Sequence, residues 1–220
     1  MVDKKLFVVV IAATSLILIA VVVAFASGVL QQSSLSPSSS SPAMQNDKIG
    51  FYTGTDNGSL IVDQRGDARP DKQYKTSTVP AVMGYHDILW AGVRKIDNSG
   101  AFLLTAGLAG DPNMNEKYET TYVWHIITST HVYTAILPNF APDSNFAAKG
   151  WYFAVYNNTR EKYIVPMTRI SDMPKDRVEF PLEASLIGNP QSFHYWVSVH
   201  VRVDAQNLDK PPDYLMDYAP

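Results

Sequence analysis

From about residue 49 onwards the chain is a succession of short runs rich in Tyr, Trp, Val, Ile and Thr, separated by clusters of Gly, Pro, Asn and Asp. Runs of this composition with partial apolar–polar alternation predict β-strands, and no long amphipathic helix pattern lies between them. The sequence therefore predicts an all-β domain. Nine runs are predicted to be strands: residues 59–63, 86–96, 101–110, 118–127, 131–138, 150–157, 162–168, 176–183 and 193–203.

Turn signals join six of these runs into hairpins. "DNSG" (97–100), "TST" (128–130) and "NTRE" (158–161) each separate two predicted strands. Antiparallel hairpins in this number predict a two-sheet antiparallel sandwich of about nine strands, with a closed barrel as the alternative. The Asp/Pro-rich tail 204–220 is predicted to dock on the sandwich without pairing as a strand.

The N-terminus carries an uncharged apolar run, residues 6–26, preceded by Lys4 and Lys5. At ~1.5 Å rise per residue a helix of this length spans a ~30 Å hydrocarbon core. The positive-inside rule predicts a single-pass membrane protein with its N-terminus inside and its C-terminal domain extracellular. An A-x-A site after Ala26 leaves cleavage as the alternative, so residues 1–27 are either a membrane anchor or a signal peptide.

Residues 28–48 are rich in Ser and Pro and poor in large apolar side chains, which predicts a flexible linker to the exported domain 49–220. The chain has no cysteine, which excludes thiol catalysis, cysteine metal clusters and covalently attached c-type haem. Its formal net charge of -3 argues against nucleic acid as a partner.

Several short motifs follow one another along the exported domain. A "D-x-x-G-D" motif begins at Asp63, and a strand opening "D-I" begins at Asp87. The later motifs are "LLTAGLAGDP" (103–112), "FPLEASLIGNPQSFHYWVSVHV" (180–201) and the final "PPDYLMDYAP" (211–220). Together, over most of residues 50–220, they resemble the DOMON-like β-sandwich superfamily, which includes the family-nine carbohydrate-binding modules. The membrane-tethered form with a Ser/Pro linker is also similar to archaeal surface proteins.

The resemblance implies a jelly-roll-like sandwich that binds sugar, haem or a structural calcium ion, usually without catalysis. Because members of such a superfamily differ in ligand, the resemblance does not choose among the three.

Carbohydrate is the first candidate ligand. Sugar sites combine flat aromatic faces with polar side chains, and the outward positions of "FHYWVSVHVRV" (193–203) have this composition. The alternative is that these aromatic rings are core residues or lie under the C-terminal tail. The predicted ligand-binding residues are Trp196, His194, His200, Arg202, Trp124 and Trp151.

Calcium is the second candidate. "DQRGDARPD" places Asp63, Asp67 and Asp71 on a segment bent at Gly66, and calcium prefers several carboxylate and carbonyl oxygens. The spacing is not that of an EF-hand. The alternative is a solvated turn in which the Asp side chains bind their own backbone.

Haem binding and catalysis are two further hypotheses. Non-covalent haem would need His and Met axial ligands, and no pairing among the five histidines is compelling, so no haem is expected. No nucleophile-elbow motif is present, so the chain is predicted not to be an enzyme. Sequons at Asn57 and Asn157, both in predicted turns, make the exported domain a candidate glycoprotein.

These features predict a non-catalytic, membrane-anchored surface domain that binds carbohydrate. The alternative is a structural protein of the cell envelope whose sandwich binds a protein partner. A glycan-active enzyme and a haem-binding domain are the remaining hypotheses.

Overall fold

The computed structural model describes residues 49–54, 58–73, 78–143, 145, 147–203 and 212–219. The predicted anchor and linker lie outside these ranges. Within them, no helix combines the length and apolar character needed to cross a membrane.

All nine predicted runs form strands, and three further strands lie among the described residues. A short 3-10 helix, Ala184–Ile187, follows residue 183. The strands are β1 Gly50–Tyr52, β2 Ser59–Val62, β3 Asp71–Lys72, β4 Ile88–Ile96, β5 Ala101–Leu108, β6 Glu119–Ile127, β7 Val132–Phe140, β8 Gly150–Asn157, β9 Lys162–Arg169, β10 Arg177–Glu183, β11 Phe193–Arg202 and β12 Tyr214–Ala219.

The strands form two antiparallel sheets. The larger sheet has the order β3-β12-β11-β6-β7-β8-β9, with β1 paired to the first residues of β11. The smaller sheet has the order β10-β5-β4-β2. The three predicted hairpins are confirmed as the pairs β4/β5, β6/β7 and β8/β9.

The two sheets pack face to face over one hydrophobic core. Trp124 on β6 meets Phe180 on β10 edge to face, with ring centroids 5.1 Å apart. Tyr52 on β1 meets Phe102 on β5 in the same way at 5.2 Å. Ring pairs that bridge two sheets fix their separation and orientation, so the architecture is a sandwich.

The C-terminal segment corrects the sequence analysis, which predicted docking without strand pairing. Strand β12 pairs with β11 on one side and with β3 on the other. An apolar segment beside a sheet edge satisfies its buried backbone groups by joining the ladder. The pairing contains an irregularity: Val199 lies opposite Asp217, and the next residue, His200, lies opposite Leu215. Met216 is therefore a bulged residue, and Met216 and Asp217 are both buried.

Candidate functional site

Strand β11 has one face in the core and one facing away from it. Val197, Val199 and Val201 are fully buried core residues. The other face carries His194, Trp196, Ser198, His200 and Arg202.

The second half of this outward face is buried and engaged with the protein itself. Ser198 Oγ lies 3.1 Å from His125 Nε2 and 2.9 Å from His200 Nε2. Arg202 Nε donates to Glu119 Oε2 at 2.8 Å in a buried ion pair. His200 and Arg202 are therefore not presented to a ligand as the sequence analysis expected, because partners on β6 and β11 occupy them.

The two imidazoles of this cluster are held in the neutral form. Burial, together with a smaller effect of nearby His200, lowers the pKa of His125 to about 3. Burial alone lowers the pKa of His200 to about 4. Among the described residues, neither Nδ1 atom has a hydrogen-bond partner. A serine beside histidine has the spacing of a nucleophile and base, but Ser198 is buried, and no acidic group in the described part of the chain is hydrogen-bonded to either ring.

The open part of the face is its beginning, which carries two neighbouring pairs of stacked rings. Exposed His194 stacks on Phe51 of β1 with centroids 4.5 Å apart and planes 28° apart. Half-buried Trp196 stacks on His125 at 4.6 Å and 11°. Phe51 is 46% exposed. We call Phe51, His194 and Trp196 the aromatic corner.

The other two predicted tryptophans lie in the interior. Trp124 is 0% exposed against Phe180. Trp151 is also buried, and its Nε1 donates to Asn113 Oδ1 at 3.0 Å. Neither ring has a face open to a ligand, which corrects their expected place in a binding surface. Both side chains lie on the inward side of the larger sheet and belong to the hydrophobic core.

Three carboxylates converge at one edge of the sandwich. Asp63 follows β2, Asp67 lies on the next turn, and Asp217 arrives from β12, with one oxygen of each within 4.8 Å of the others. We call these three residues the acidic site. They line a cavity of about 260 Å³, and exposed Asp71 on β3 lines the same cavity without joining the cluster.

The bulge in β12 aims Asp217 into this site. Its Oδ2 accepts from the Ile88 N–H at 2.7 Å and its Oδ1 from the Tyr218 N–H at 2.9 Å. The pKa of Asp217 is raised to about 7, mainly by burial, with Asp63 and Asp67 adding to the rise and the two hydrogen bonds opposing it. The site thus concentrates negative charge that a cation would neutralise.

Of the two predicted glycosylation sites, the structure describes only Asn157. Asn57 lies outside the described residues. Asn157 is the last residue of β8, is only 3% exposed, and accepts from the Arg160 N–H at 2.9 Å. Its side chain is therefore buried instead of lying in an open turn as predicted.

Comparisons of the chain with protein-family models, with curated proteins and with solved structures found no match. Function is therefore inferred from the aromatic corner and the acidic site.

Proposed function

We propose that this chain is a non-catalytic, exported β-sandwich that binds carbohydrate at the cell surface. In this proposal residues 1–27 anchor the chain in the membrane, residues 28–48 are a tether, and the sandwich is jelly-roll-like as in DOMON-like modules. The observation that carries the proposal is the aromatic corner, the accessible part of the outward face of β11.

The chemistry of the corner suits a sugar ring. The rings of Phe51 and Trp196 offer apolar surface to the C–H faces of a pyranose, and the exposed imidazole of His194 offers hydrogen-bonding nitrogens to its hydroxyls. The burial of Ser198 and of both neighbouring imidazoles supports binding without catalysis, because no substrate bond can approach them.

A glycan array with the full-length protein in detergent tests this function. We expect retention of at least one glycan class, and we expect Trp196→Ala to abolish it. Met114→Ala is the matched control, since this exposed side chain follows β5 and is remote from the corner. If no glycan is retained, or if Trp196→Ala and Phe51→Ala both bind as wild type, the proposal fails and a protein partner becomes the better hypothesis.

We also propose that the acidic site binds calcium. Asp63 and Asp67 are two of the three predicted ligands, Asp217 replaces Asp71 as the third, and Asp71 lies at the rim of the cavity. Hard oxygen ligands in this number suit calcium. An ion there would join β12 of the larger sheet to the segment after β2 of the smaller one, so its role would be structural.

Thermal melts in chelator and in about 1 mM calcium test this site. An ion that binds only the folded state stabilises it by mass action, by about 2.7 kcal/mol at a hundredfold excess over Kd. The increase in Tm should disappear in Asp63→Asn and persist in Asp176→Asn, which changes an exposed carboxylate elsewhere. An identical wild-type melt in both buffers would rule the ion out.

A further inference from the structure

The outward face of the smaller sheet carries a second flat aromatic surface, centred on Trp90 of β4. Its inward neighbours Ala91 and Ala106 are in the core, so the alternate positions face away from the larger sheet. The pairing registers place two rows of residues across all four strands: Val62, Trp90, Gly107 and Arg177, then Leu60, Gly92, Thr105 and Glu179.

The indole of Trp90 lies flat on the backbone of two glycines. A Cβ atom at Gly107 would overlap Nε1 and Cε2 of the ring. At the other end of the indole, Cζ3 lies 3.8 Å from where a Cβ of Gly92 would be. One ring face is therefore against the sheet and the opposite face is turned away from it. The half-buried state of Trp90 agrees with this arrangement.

Apolar and polar groups flank the ring on opposite sides. On the β2 side, Leu60 and Val62 are 64% and 76% exposed. On the β10 side, Arg177 Nε donates to Glu179 Oε2 at 2.9 Å, and both side chains remain partly exposed. Nε1 of Trp90 donates no hydrogen bond to any described residue and is not among the buried unpaired atoms, so it is available to a ligand. We call this surface the Trp90 platform.

We propose that the Trp90 platform is a second carbohydrate-binding site, on the outer face opposite the aromatic corner, and that it takes an uncharged glycan chain. A flat ring face beside paired hydrogen-bonding side chains is the chemistry that binds a pyranose. Within these two rows the cation is Arg177, which is already paired with Glu179 and with Asp176, so an uncharged ligand suits the platform. Exposed Arg94 lies one row further along β4. Four strands at ~4.8 Å spacing give a platform about 14 Å wide, which suits a short oligosaccharide.

The test uses the full-length protein in a detergent without a sugar headgroup. Cellohexaose and mannohexaose are the neutral probes and hexagalacturonate is the anionic one. The readout is the indole N–H resonance of Trp90 in a ¹H–¹⁵N spectrum, assigned by its loss in Trp90→Phe. We expect at least one neutral probe to shift this resonance with a Kd of about 1 mM or tighter, and the anionic probe to leave it unchanged.

Two variants separate the platform from the rest of the protein. Gly107→Ala adds a methyl group where the ring lies, so it should weaken the titration at least tenfold while Trp90 is still present. Arg177→Gln changes only a partly exposed side chain and should weaken it severalfold without a change in fold. Trp196→Ala should leave the Trp90 shift intact, so failure of the aromatic corner is distinguishable from failure of the platform.

The proposal is overturned if neither neutral probe shifts the Trp90 resonance at concentrations up to about 10 mM. It is also overturned if the shift survives both Gly107→Ala and Arg177→Gln, or disappears in Trp196→Ala. An equal response to hexagalacturonate would overturn the uncharged class of ligand.

Discussion

At the scale of single residues, the neighbours of Trp196 determine whether its ring is surface or core. The ring is half-buried and one of its faces is covered by His125, which itself is buried. It is thus intermediate between an exposed side chain and a core tryptophan such as Trp124.

We expect Trp196→Ala to cost on the order of 1–2 kcal/mol of unfolding free energy, because it removes a stacked ring pair and part of an apolar surface. Trp124→Ala, the fully buried comparison, should cost about 3–5 kcal/mol. Urea denaturation measures both. A cost for Trp196→Ala as large as that for Trp124→Ala would mean that the ring is a core element and would remove it from the aromatic corner.

Local spacing predicted part of the acidic site and could not predict the rest. Asp63 and Asp67 are four positions apart and meet on one turn. Asp217 is distant in sequence, and the bulge in β12 sends it inward, against simple alternation with its neighbours. The sequence analysis expected Trp124 in a binding surface, and the structure buries it. Because β6 is buried on both faces, the composition of this strand does not distinguish its inward from its outward positions.

At the scale of elements, strand prediction worked where alternation extends over many residues. Strands β1 and β3, at three and two residues, are too short to carry a pattern. Strand β12 is long enough, but Asp and Pro around it resemble a loop and its bulge breaks the alternation. Its pairing with β11 is a tertiary property that only the folded sheet reveals.

Strand β12 should therefore behave as part of the core. We expect Met216→Ala to destabilise the fold by about 2–5 kcal/mol, since the side chain is buried in the main cluster. Tyr218→Ala, two residues away with a mostly exposed side chain, should stay within about 0.5 kcal/mol. Equal effects in urea denaturation would show that the segment does not pack as described.

At the scale of the whole molecule, the order of strands joins segments that are far apart in the sequence. Strand β11 lies between β6 and β12, and Asp217 reaches from the larger sheet to the Ile88 N–H of the smaller one. Hairpin signals predicted the local pairs, but no local signal specifies which hairpins become neighbours. The buried titratable groups of both regions therefore contribute to the same free energy of unfolding, that of the whole sandwich.

These groups affect that stability in opposite directions. The pKa values of His125 and His200 are lowered to about 3 and about 4 from 6.5, so their contribution is present above pH 6.5 and is lost as the pH falls toward those values. The pKa of Asp217 is raised to about 7 from 3.8, so its contribution is present below pH 3.8 and is lost as the pH rises through about 7.

Between about pH 5 and about pH 6, unfolding therefore takes up one proton at each histidine and releases one from Asp217. For these three groups we expect the unfolding free energy to rise with pH by about 1.4 kcal/mol per pH unit in the wild type, in chelator. Asp217→Asn should steepen this slope to about 2.7 kcal/mol per pH unit. The double variant His125→Gln with His200→Gln should give a slope of the opposite sign to that of the wild type. Urea denaturation across this interval measures all three slopes, and because the remaining carboxylates contribute equally to each protein, the differences between slopes isolate these groups. Parallel slopes in the three proteins would contradict the burial of both sites, since an exposed imidazole or carboxylate titrates alike in the folded and unfolded chain.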